Sequence, residues 1–109
     1  MADDSTTVGA LKARAAAFAS ARRWEPFHTP KNLAMALASE VGELLEPFRW
    51  LTGDESVAAC QDPAAREAIA DELADVFSLL MLFSLHTGID VSEAVAAKVV
   101  KNELKYPAG

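Results

Sequence analysis

The sequence predicts an all-α protein, most simply an antiparallel four-helix bundle completed by oligomerisation. Three observations carry this. Apolar residues recur at helical spacing in four segments, no segment alternates with the period of a strand, and the second, third and fourth helices have chemical start and stop signals. Residues 1–109 read as a single domain, with no internal repeat and no low-complexity linker.

The first helix is expected from about Thr6 to Arg22, alanine-rich, with Leu11 and Phe18 at helical spacing. The turn WEPFHTP follows. Thr29 then Pro30 is a capping hydroxyl followed by proline at the first helical position, so a second helix starts there and runs to about Glu46. Pro47 cannot donate to the Glu43 carbonyl and stops or kinks it. TGDESVAACQ, with Gly53 and Asp54, reads as a loop. Asp62 and Pro63 repeat the cap-plus-proline start, for a third helix that reaches Thr87 and ends on Gly88. Asp90 and Glu93 have the spacing of a capping box for a fourth helix over Val91–Lys105, and Pro107 lies beyond its end.

Composition narrows the function. Hydrophobic residues are 51% of the chain, which describes a globular protein rather than a disordered one. The formal charge of −6 and a pI near 4.8 argue against a nucleic-acid polymer or an anionic membrane as main partner. A single cysteine, Cys60, excludes a disulfide framework. The longest apolar run, VFSLLMLFSL, is too short to span a bilayer. A soluble, cytoplasmic protein is expected.

The acids carry the chemistry. On the third helix Ile69, Leu73, Val76, Leu80 and Phe83 form a core stripe. The adjacent row holds Glu72 and Asp75 among apolar neighbours. On the second helix Leu33, Leu37, Val41, Leu44 and Phe48 form the stripe, and Glu40 and Glu43 lie beside it. Three residues turn a helix by about 300°, so Glu40 and Glu43 share a face. Glu46 has drifted about 120° from Glu40 and is expected at the periphery. Gly42, between the two acids, is expected to leave room for close approach. Four carboxylates on apolar rows repel one another unless they protonate or surround a cation. Oxygen ligands without histidine or thiolate suit Mg2+ or Mn2+. The bland alternative is a set of solvated acids in ordinary salt bridges.

E-x-x-E at Glu40 and Glu43, then E-x-x-D at Glu72 and Asp75 after 28 residues, resembles the MazG-like all-α nucleoside triphosphate pyrophosphohydrolases. RRWEPFHTPKNLAMALASEVGELLEPFRW resembles the dCTP pyrophosphatase branch of that family, and KVVKNELKYP resembles its closing segment. The resemblance runs from about Ala17 to Pro107. It implies Mg2+-dependent hydrolysis of a nucleoside triphosphate, of dCTP or a modified pyrimidine deoxynucleotide, to the monophosphate and pyrophosphate. It implies Glu40, Glu43, Glu72 and Asp75 as metal ligands. A carboxylate of that cluster, or Glu46 beside it, is expected to accept the proton of the attacking water. By the same resemblance Trp24 and Trp50 wall a base pocket, with His28 beside them. Lys98 and Asn102 lie near the phosphates and base, with Lys105 and Tyr106 adjacent. The family's subunits pair, so a homodimer or homotetramer is implied. Leu79 departs from the pattern, since dCTP-preferring relatives carry an aromatic hydroxyl there.

Two other classes are weighed. The first is a non-catalytic helical interaction module, an acidic dimer whose apolar third helix packs against a partner. A redox dimetal bundle needs E-x-x-H pairs, and neither His28 nor His86 lies three residues after a metal-row acid. No glycine-rich phosphate loop is present.

Overall fold

The computed structural model describes residues 1–109 and is entirely helical. Five helices follow in order: α1 (Val8–Ala21), α2 (Pro30–Leu45), α3 (Gly53–Ala59), α4 (Pro63–Thr87) and α5 (Val91–Lys105). Single 3-10 turns occupy Ala2–Asp4 and Glu25–Phe27.

Side-chain caps start all five helices. The N–H groups of Ala10, Asn32, Glu55, Ala65 and Glu93 donate to Thr7, Thr29, Thr52, Asp62 and Asp90 respectively. Each satisfies one backbone donor that the first helical turn leaves free. α4 closes on Gly88 at φ 72°, the left-handed conformation that glycine adopts without a Cβ clash. α2 ends before Pro47, as the missing N–H requires.

The expected loop after Trp50 contains α3. Its cap is a complete capping box: Glu55 N–H donates to Thr52 Oγ1, and Thr52 N–H donates to Glu55 Oε1 at 2.8 Å. At Asp90 only half of the expected box forms, with Glu93 N–H donating to Asp90 at 2.8 Å.

α4 is the centre of the fold. It packs against α2 and α1, while α3 and α5 pack closely on no other helix. The core is small. Ala19 from α1, Leu33 from α2 and Leu82 from α4 meet in one cluster, with Ala15, Leu79 and Phe83 against it. Leu33 of α2 meets α4 at Leu82, and Glu40 approaches Glu72 and Asp75 one end further on, so the two helices run antiparallel. Buried Ser84 donates its hydroxyl proton to the Ile89 carbonyl, which ties the α4 terminus to the next turn.

The expected stripes are covered only in part. Leu33 is buried, and Leu37, Leu44 and Phe48 are half-buried, but Val41 is exposed. On α4 the buried residues are Met81, Leu82 and Ser84, while Leu73 and Leu80 of the expected stripe lie open at 56% and 40%. The reason is topological: α1 and α2 pack on the side of α4 that carries Leu79 and Leu82, so of the adjacent stripe Ile69, Val76 and Phe83 are half-buried while Leu73 and Leu80 stay open. The radius of gyration, 16.5 Å, exceeds the roughly 13 Å of a compact chain of this length. Neither α3 nor α5 contains a buried residue.

Candidate functional site

The antiparallel pairing of α2 and α4 brings acids from both helices to one place. One carboxylate oxygen each from Glu40, Glu72 and Asp75 lies within 4.8 Å of the others. Glu40 and Glu72 are half-buried and Asp75 is exposed. Glu72 Oε2 is shut off from solvent and has no hydrogen-bond partner in the protein. Burial, then Glu40 beside it, then the charges of Asp75 and Glu43 raise the Glu72 carboxyl above its ordinary value. Loss of solvation and like charge both oppose ionisation.

The other expected acids are placed differently. Glu43 is exposed and outside the group of three, although its charge still acts on Glu72. Glu46 sits at the surface and pairs with Arg49 at 3.0 Å. Gly42 faces open space, so the expected close approach at that position is absent and a Cβ there would meet nothing.

Beside the acids a cavity of about 650 Å3 opens between α1, α2 and α4. Glu40 and Asp75 line one part of it, and most of the remaining wall is apolar, including Trp24, Phe18 and Leu79. The turn between α1 and α2 positions Trp24. Its N–H donates to the Ala19 carbonyl at 3.0 Å, and Asn32 Nδ2 on α2 donates to the Phe27 carbonyl at 2.9 Å. An aromatic chain runs behind this wall: Phe18 to Trp24 at 5.7 Å, Trp24 to His28 at 6.3 Å and His28 to His86 at 5.7 Å, all edge to face. His28 therefore supports Trp24 without lining the cavity, and its buried Nδ1 has no partner.

The remaining expected residues lie elsewhere in the single chain. Trp50 is 81% exposed, with the Arg49 guanidinium 4.9 Å from its ring. Lys98, Asn102 and Lys105 are on α5, with Tyr106 as its C-cap. Asn102 and Tyr106 share a small surface depression with Val99 and Glu103, away from the acids. The α1 contribution to the cavity was not anticipated. Leu11, Arg14, Ala15 and Phe18 line it at i, i+3, i+4 and i+7. Leu11 and Phe18 already marked that face, but the abundance of alanine hid how much of α1 it covers.

The chain that carries this acidic pole and apolar slot has counterparts among known proteins. The pyrophosphatase of Archaeoglobus fulgidus superposes with a TM-score of 0.81 at 38% identity over 86% of each chain. Proteins named dCTP pyrophosphatase 1 are similar as well. The Homo sapiens protein is 42% identical over 93 residues and the Bos taurus protein 39% identical over 92 residues, covering 85% and 84% of this chain. The chain spans about half the length of these curated relatives, 55% and 54%. The MazG-like family model matches residues 35–109, a span holding all four expected metal-row acids. With that match and relatives near 40% identity, the chain belongs to the MazG-like family.

Proposed function

We propose that this chain hydrolyses a nucleoside triphosphate, with dCTP or a modified pyrimidine deoxynucleotide as substrate class, to the monophosphate and pyrophosphate. The observation that carries the reading is the convergence of Glu40, Glu72 and Asp75 beside the cavity wall built by Trp24. The family membership and the names of the similar proteins support the same reaction.

The donor set fits a divalent hard cation. It offers carboxylate oxygens alone, and Glu72 Oε2 is a buried acceptor with nothing in the protein to satisfy it. Glu40, Glu72 and Asp75 would hold Mg2+ or Mn2+, with Glu43 joining from the next turn of α2. The ion, when bound, supplies charge neutralisation and Lewis-acid polarisation at the phosphates. The protein supplies position. α2 and α4 fix the acids, and Trp24 offers a ring face to the base. A carboxylate of the cluster that the ion leaves free would accept the proton of the attacking water. Glu46, engaged by Arg49, has no part in this scheme.

A second copy completes the site in this reading. The uncovered apolar residues of α4 and α5, among them Leu73, Leu80, Val95 and Val99, are the kind of surface that oligomers bury. Pairing there gives α5, with Lys98, Asn102, Lys105 and Tyr106, and the exposed Trp50 a route to a neighbouring cavity. Sedimentation is expected to report a homodimer or homotetramer, and Leu80→Asp to shift it towards monomer.

The reaction is tested by incubating the protein with Mg2+ and a panel of deoxynucleoside triphosphates. Equal release of pyrophosphate and monophosphate is expected, abolished by EDTA and by Glu72→Gln. Release of inorganic phosphate instead places cleavage at a different bond. No turnover of any substrate, with Mg2+ leaving thermal stability unmoved, returns the acids to the solvated reading.

A further inference from the structure

Four of the 13 residues lining the cavity are polar: Glu40, Asp75, Ser78 and Arg14. Arg14 is the only cation. It interrupts an otherwise apolar face of α1, between Leu11 and Phe18, and that face forms one wall of the cavity. Arg14 is exposed while lining that wall.

Three of the other arginines have partners. Arg22 lies 3.5 Å over the Phe18 ring and donates to the Phe18 carbonyl, Arg49 pairs with Glu46, and Arg66 donates to the Cys60 carbonyl. Arg14 pairs with nothing. The ion pairs of the chain are Met1–Asp4 and Arg49–Glu46, so Arg14 does not neutralise Glu40 or Asp75 despite sharing a cavity with them. Its guanidinium forms no ion pair with the acidic pole and offers a fork of donors that no acceptor in the chain takes up.

We infer that Arg14 reads the base of the nucleotide, donating through its fork to two adjacent acceptors on the base edge. This rests on the nucleotide reading above. With the phosphates held at the acidic pole through a divalent cation, the base occupies the apolar remainder, where few polar groups can satisfy it. A guanidinium only donates, so it selects an edge that only accepts. Cytosine offers O2 beside N3, and guanine O6 beside N7. Adenine and thymine alternate donor and acceptor along every edge and cannot take both bonds. The cavity thereby favours cytosine and guanine nucleotides, since a bound base that mismatches covers the guanidinium without offering it acceptors.

The test is calorimetric binding of dCMP, dGMP, dAMP, dTMP and deoxyribose 5-phosphate to wild type, Arg14→Met and Arg14→Lys. Arg14→Met keeps the length of the stem, and Arg14→Lys keeps the charge but removes the fork. Both variants should weaken dCMP or dGMP by roughly 5- to 150-fold and leave the other ligands within about twofold, at unchanged helicity by circular dichroism. Whichever of dCMP and dGMP loses affinity identifies the base. Equal losses for all five, rescued by Arg14→Lys, make Arg14 a phosphate contact and overturn the inference. So does an unchanged affinity throughout, or wild type binding none of the five at millimolar concentration. Wild type that binds dCMP through Arg14 yet releases no pyrophosphate from any triphosphate overturns the proposed reaction and leaves the inference standing.

Discussion

Asp75→Asn is expected to change sign with metal. Asp75 is exposed, so an isosteric amide there buries no new polar group. Its carboxylate approaches Glu40 and Glu72 to within 4.8 Å. Two unit charges at that separation repel by about 1 kcal/mol in water, and salt at 0.1 M removes part of it. With two such neighbours, neutralising Asp75 relieves about 1 kcal/mol. For a chain of this size that corresponds to roughly 4 °C in Tm. The variant should therefore melt higher than wild type in EDTA. In saturating Mg2+ the order should invert, because wild type gains stability from a ligand that binds only the folded state and the variant has lost a ligating charge. Differential scanning fluorimetry at pH 7.5, with EDTA and then with a Mg2+ series, measures both. Acids that are merely solvated give neither effect. A variant that melts at or below wild type in EDTA, together with a wild type indifferent to Mg2+, would falsify the charge-cluster account.

The pH dependence follows from Glu72. It binds its proton more tightly folded than unfolded, so its contribution to stability is complete below about 4.5 and is lost as pH rises through the raised folded value. In EDTA, urea midpoints of wild type should fall above pH 4.5, and Glu72→Gln should flatten that fall. Leu33, 2% exposed and shared between α1, α2 and α4, should cost about 2–5 kcal/mol when cut to alanine, lowering Tm by roughly 8–20 °C. A drop of only a few degrees would mean that the small core inside one chain is not what holds it together. Gly88 and Arg23 make an opposed pair, both left-handed at φ 72° and 56°. Nothing lies within 4 Å of a Cβ at Gly88, so Gly88→Ala should lose about 1 kcal/mol through backbone strain alone, while Arg23→Gly should gain a similar amount. Urea unfolding reads both.

What the sequence conveyed well was local chemistry. Thr29 before Pro30, Asp62 before Pro63 and Gly88 after Thr87 each answer a backbone group that a helix end leaves free, and those ends fall where the side chains put them. α3 was missed although Thr52 and Glu55 have the same kind of signal, because seven residues carry no apolar stripe to draw attention to it. The pairing of Glu40 with Glu72 and Asp75 was legible from three-residue spacing on two helices that had to face each other, and so was the drift of Glu46 to the surface. Periodicity could not say which polypeptide covers a stripe. Leu73 and Leu80 have the spacing of core residues and lie open in one chain, since a pattern of apolar residues specifies burial without specifying by what. The same limit concealed Arg14. Its significance lies in what α1 faces, and only the packing of α1 on α4 turns an ordinary arginine among alanines into the sole cation of a cavity bounded by acids. The candidate site is therefore two patterns superposed: an acid row that helix geometry exposes to a reader, and a cavity wall that exists only once three helices have met.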